Sequence, residues 1–155
     1  MQRLPRLKSA ALHRAVPALA CAWFAASACA APDPLARAAA EPGAITTPSG
    51  LVYRSLRTGR GPSPTATDTV RVNYRGTFPD GREFDSSYAR HEPASFPLNR
   101  VIKCWTEGLQ RMKVGGKAKL TCPAAIAYGD QGAGGGEIPP GAVLQFEVEL
   151  LGIGR

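Results

Sequence analysis

The 155-residue chain lacks the short motifs that announce most enzyme chemistries. It has no phosphate loop ending in Lys-Ser or Lys-Thr, no Gly-x-Ser-x-Gly nucleophile elbow and no His-Glu-x-x-His pair. Only two histidines occur, His13 and His91, and the first falls in a leader-like N-terminus. This pattern speaks against a catalytic triad or a histidine-ligated metal. No run of five Lys or Arg appears, and the aromatic residues, 7% of the chain, do not interleave with basic ones. A stacking platform for nucleic acid needs that interleaving. No apolar stretch reaches the ~20 residues that a membrane-spanning helix requires.

Glycine and proline, in contrast, are plentiful at 17 and 14 residues, without a collagen-like period. With 44% hydrophobic and 20% charged residues, the length suits one globular domain rich in turns, plus extensions. The formal net charge of +7 is concentrated at the start, where Arg3, Arg6, Lys8 and Arg14 have no acidic counterpart before residue 31. The remainder holds 15 basic and 12 acidic residues, an ordinary balance for a small domain. The Gly132–Gly136 tract lacks a following lysine and helix, so it reads as a loop and not as an anion cradle.

The basic start is followed by an alanine-dominated apolar run from Ala15 to Ala26 and by Ser27-Ala28-Cys29-Ala30, small residues at signal-peptidase spacing. Residues 1–30 are thus predicted to be a secretory signal, cut near Ala30, which directs the domain to the periplasm. Ala26-Ser27-Ala28-Cys29 also fits a relaxed lipobox, in which Cys29 would be lipidated and anchor the chain. Removal of the leader leaves one cysteine pair, Cys104 and Cys122. In an oxidising compartment such a pair points to a disulfide, with two buried free thiols as the other reading. Zinc would want more ligands than the pair supplies.

Alanine makes up 15 of the first 40 residues and 10 of the other 115. Residues 31–47 are accordingly predicted to be a flexible Ala/Pro-rich linker ahead of a domain over 48–154. Within it, Val70, Val72 and Tyr74 alternate with Arg71 and Asn73, Ala118, Leu120 and Cys122 alternate with lysines, and Leu144, Phe146, Val148 and Leu150 alternate with polar residues. One short helix is expected around Trp105, Leu109 and Met112, closed by Gly115-Gly116. These elements describe an antiparallel α+β domain.

Val72-Asn73-Tyr74-Arg75-Gly76, Asp80-Gly81, Phe84-Asp85-Ser86-Ser87, Val101-Ile102-Lys103-Cys104-Trp105, Ala127-Tyr128-Gly129, Ile138-Pro139-Pro140 and Phe146-Glu147-Val148-Glu149-Leu150 follow in an order that resembles the FKBP-type peptidyl-prolyl cis-trans isomerases over residues 48–153. The resemblance implies an FKBP-like, five- to six-stranded antiparallel sheet wrapped around one short helix, and a proline pocket between them. By position, Tyr74, Phe84, Asp85, Arg90, Val101, Ile102, Trp105, Tyr128, Ile138 and Phe146 would line it, with Trp105 as the floor. Tyr74, Asp85 and Tyr128 would take the catalytic roles, and the Tyr128 hydroxyl and Ile138 backbone N–H would hold substrate carbonyls.

The implied partners are proline-containing polypeptides folding outside the cytoplasm, and macrolides such as rapamycin or tacrolimus as inhibitors. Neither cofactor nor nucleic acid is implied. The chain departs from the family pattern at Ala94, where an aromatic is common, which leaves Tyr88 as a candidate wall, and at Glu137 and Cys104. With no long helical segment before residue 48, a monomer is expected. A peptide-binding chaperone module with little isomerase activity is the alternative reading.

Overall fold

The structure is a computed structural model that describes residues 30–154, so all but the last residue of the predicted signal, with Cys21 and Cys29, lies outside the described residues. Seven antiparallel strands form one sheet: β1 (Ala44–Thr46), β2 (Val52–Arg57), β3 (Thr69–Thr77), β4 (Glu83–Ser86), β5 (Ala94–Pro97), β6 (Lys117–Cys122) and β7 (Leu144–Gly154). Their spatial order is β1-β2-β6-β7-β3-β4, and β5 pairs with the other end of β3. The last strand in sequence is therefore a central one.

The alternation read from the sequence decides which face is buried. Val70, Val72 and Tyr74 of β3, Ala118, Leu120 and Cys122 of β6, and Leu144, Phe146, Val148 and Leu150 of β7 all lie in one core. The register sets Tyr74 beside Val148, and Gly76 and Leu120 on either side of Phe146. Against this face packs α2 (Lys103–Gln110), which buries Cys104, Trp105, Gly108 and Leu109. Close approach explains Gly108: a Cβ there would stand 2.8 Å from the Leu120 methyl groups. Met112, just past the helix end, is also buried. The predicted disulfide pair is bonded, with the Cα atoms of Cys104 and Cys122 5.9 Å apart. It joins the first turn of α2 to the end of β6.

The linker expected over 31–47 is structured instead. Asp33 caps α1 (Pro34–Ala39) by accepting from the Leu35 N–H, and Pro34 occupies its first turn, where its missing N–H costs nothing. Ala38 is buried. Glu41 then reaches Lys119 at 2.6 Å and Arg54 at 2.8 Å, cross-strand partners on β6 and β2. Lys119 alternates with the core residues Ala118 and Leu120, so α1 and Glu41 cover the face of the sheet opposite α2. After Gly43, at φ 79°, the chain adds β1 to the sheet edge. The ordered domain thus begins near Pro34, earlier than composition suggested. Among the described residues, no helix is long and apolar enough to cross a membrane.

Candidate functional site

Between α2 and the concave face of the sheet lies a cavity of about 310 Å³, lined by Tyr74, Phe84, Asp85, Phe96, Arg100, Val101, Ile102, Trp105, Tyr128 and Phe146. Trp105 is at its centre. Its ring meets those of Tyr74, Phe96 and Phe146 edge to face, with centroids 5.2, 5.6 and 5.4 Å apart. Phe146 in turn meets Phe84 at 5.6 Å. Such contacts fix ring orientations beyond what area burial alone would do. The Trp105 indole N–H is buried without a hydrogen-bond partner among the described residues.

Local structure delivers the polar groups to the rim of this aromatic box. Gly76 stands opposite Asp85 in the β3–β4 register, and a Cβ on Gly76 would come within 2.6 Å of the Phe84 ring and 3.0 Å of the Phe146 ring. Only glycine lets both rings sit there. Ser87, fully buried, accepts from the Tyr74 N–H through its hydroxyl at 2.8 Å and donates its own N–H to the Tyr74 carbonyl, which fixes the strand that carries the tyrosine. The chain then turns through Tyr88–His91, with His91 in the left-handed region at φ 54°.

Arg90 reaches back from this turn, donating to Asp85 Oδ1 at 2.6 Å and to the Tyr74 hydroxyl at 2.9 Å, while that hydroxyl donates to Asp85 Oδ2 at 2.5 Å. The three groups close a triangle. Burial pushes Asp85 toward the neutral form more strongly than any other single influence, but the Tyr74 and Arg90 hydrogen bonds together hold its carboxyl below the usual range. Burial, reinforced by the bond to Asp85, raises the Tyr74 phenol, and burial with the Asp85 charge raises Tyr128. At neutral pH the site holds a carboxylate and two neutral phenols.

Eight of the ten residues expected in the pocket line it; Arg90 acts from beside it through Asp85 and Tyr74. Ile138 corrects the expectation. Its N–H donates to the Ala133 carbonyl at 3.0 Å, its carbonyl accepts from the Ala133 N–H, and its side chain is buried in the core, so it has no donor to offer a ligand. Ile102, the N-cap residue of α2, lines the cavity, and its N–H donates to no backbone carbonyl among the described residues. Nor does Tyr88 replace the missing aromatic at Ala94, because it points to solvent with 43% exposure. Phe96, two residues further along β5 and therefore on the same face as Ala94, supplies that wall. Arg100 at the cavity edge was also missed; one exposed cation in a proline-flanked stretch carries no sequence signal.

Residues 61–151 match the family model described as FKBP-type peptidyl-prolyl cis-trans isomerase. The chain belongs to this family. FKBP-type peptidyl-prolyl cis-trans isomerase FkpA of Aeromonas hydrophila is 54% identical over 119 residues, 77% of this chain and 44% of that protein. FkpA of Escherichia coli K12 is 52% identical over 74% of this chain and 42% of its own length. The chain spans about half the length of the curated FKBP-type relatives it matches. Among solved structures, FkpA from Escherichia coli superposes with a TM-score of 0.74 at 50% identity, covering 77% of this chain and 55% of that one. A peptidyl-prolyl cis-trans isomerase from Pseudomonas syringae pv. tomato gives 0.73 at 39% identity, covering 79% and 89%. The antiparallel sheet with α2 packed against it thus has the FKBP-like fold.

Proposed function

We propose that the protein is a peptidyl-prolyl cis-trans isomerase that accelerates rotation about Xaa-Pro bonds of exported polypeptides without forming a covalent bond. The observation that carries this reading is the Tyr74–Asp85–Arg90 triangle on the rim of an aromatic cavity. Rotation about the amide must break its resonance against a barrier of ~18–20 kcal/mol. Water stabilises the charge-separated planar amide, so an apolar box of Phe84, Val101, Ile102, Trp105 and Phe146 favours the twisted one relatively. The prolyl ring fills the box. The Tyr128 hydroxyl, which has no partner among the described residues, and the Ile102 N–H hold carbonyls on one side while the other side turns. Asp85 acts on the rotating carbonyl through its charge, and Tyr74 and Arg90 keep that charge in place.

The leader pattern and the single bonded cysteine pair support a periplasmic location after cleavage near Ala30. Macrolides such as rapamycin and tacrolimus would compete for the aromatic box, and a single copy supplies every residue of the site, which suits a monomer.

The test is isomerisation of a short peptide with an apolar residue before proline, with and without rapamycin, for the wild type and Asp85→Ala. We expect a rate gain that rapamycin abolishes, and a kcat/KM lower by roughly 10-fold in the variant, equivalent to about 1.4 kcal/mol of transition-state stabilisation. Absence of any rate gain while rapamycin still binds would leave a peptide-binding module.

A further inference from the structure

Arg100 plays no part in the mechanism above. It ends the single helical turn Leu98–Arg100, lines the cavity and is exposed, and its guanidinium forms no ion pair among the described residues. Its backbone is held firmly: the Leu98 N–H donates to the Asp68 carbonyl at 2.9 Å, and the Leu98 carbonyl accepts from Thr106 Oγ1 of α2 at 2.6 Å. A fixed turn therefore presents a free charge.

Among the residues that line the cavity, Asp85 is the one carboxylate and Arg100 the one cation. Asp85 is already answered by Arg90. The lining is left with one positive charge that no ion pair among the described residues compensates. Lys103, exposed, begins α2 three residues later, and the first turn of that helix contains no acidic residue, so its N-terminal dipole adds the same sign. We propose that Arg100 is a specificity-determining residue, which makes the cavity prefer segments with a carboxylate side chain next to the proline. The planar guanidinium would take that carboxylate while the prolyl ring enters the box. This inference rests on the isomerase reading of the cavity.

An exposed ion pair of this kind changes an equilibrium by about two- to fivefold. The experiment compares peptides with Glu, Leu or Lys before proline, using the full chain and its Arg100→Glu and Arg100→Lys variants. Exchange NMR reads cis-trans turnover, and the Trp105 indole N–H signal reads binding in the same titrations. We expect a Glu-to-Lys ratio of about two- to fivefold in the wild type, retained by Arg100→Lys, inverted by Arg100→Glu and flattened near 1 M salt, where the Debye length is about 3 Å. A ratio that Arg100→Glu leaves unchanged, even if all three peptides weaken together, overturns the proposal, because that is what a purely structural role predicts. If no peptide is turned over by the wild type, the isomerase reading fails, and the ratio of dissociation constants from the Trp105 signal decides the charge preference alone.

Discussion

At Asp85, burial draws the carboxyl toward its neutral form while Tyr74 and Arg90 hold it ionised, and the two donors prevail. A depressed pKa in the folded state means that the triangle stabilises the fold above the ordinary carboxylate range and loses that contribution as pH falls through the folded value. Activity should follow the same group. Its acid limb is expected below about pH 3.9, the ordinary aspartate value, and in Arg90→Gln the limb should move to higher pH because one of the lowering partners is gone. A pH profile of kcat/KM for the two proteins checks this, and a limb that stays in place would remove Arg90 from the charge-holding role. At this scale the sequence was informative where a residue belongs to a motif. Tyr74, Asp85, Trp105 and Tyr128 were found in that way. Ile138 misled because its side chain suits a pocket wall, whereas its backbone N–H is spent on Ala133, a pairing set by the loop and invisible in the residue type.

Among the elements, β3 organises the site, since Tyr74 and Gly76 come from its inward-facing positions and β4, β5 and β7, which bring Phe84, Asp85, Phe96 and Phe146, all pair with it. Gly76→Ala is expected to push Phe84 and Phe146 off their positions and cost about 1–3 kcal/mol of stability, the usual range for overpacking. Thermal unfolding together with rapamycin affinity measures the two effects, and unchanged values of both would show that the rings have room to move. Alternation made β3, β6 and β7 legible, because each buries one face in the core and exposes the other. The helix α2 was legible from Trp105 and Leu109. By contrast α1 and β1, six and three residues long, are too short for any period to be counted. What orders them is the Asp33 cap and the contact of Glu41 with Lys119, 78 positions away, and local composition contains no trace of the latter. Phe96 lies on the four-residue β5, which pairs with β3 alone among the described strands, and its pairing with Val70 turns it toward Trp105.

For the molecule as a whole, the Cys104–Cys122 bond ties the helix beneath the cavity to the sheet across 18 positions of chain. Closing a loop of that size stabilises by roughly 3 kcal/mol in the chain-entropy model. Reduction should lower the melting temperature by roughly 10 °C without abolishing the fold. Intact mass of the unreduced protein from its native host, after alkylation under denaturing conditions, tests the proposed leader cut and the disulfide together: an N-terminus at Ala31 with no alkylated cysteine is expected, and two alkylated cysteines would sink the disulfide. The strand order carries a kinetic consequence. Because β7 lies between β6 and β3, the two halves of the sheet cannot join until β7 is available. A chain emerging from its N-terminus holds two unpaired strand edges, on β6 and β3, until β7 follows. Its folding is therefore limited by long-range pairing, a slow step by nature. Until that strand arrives the chain stays threadable, held by no pairing between its two halves.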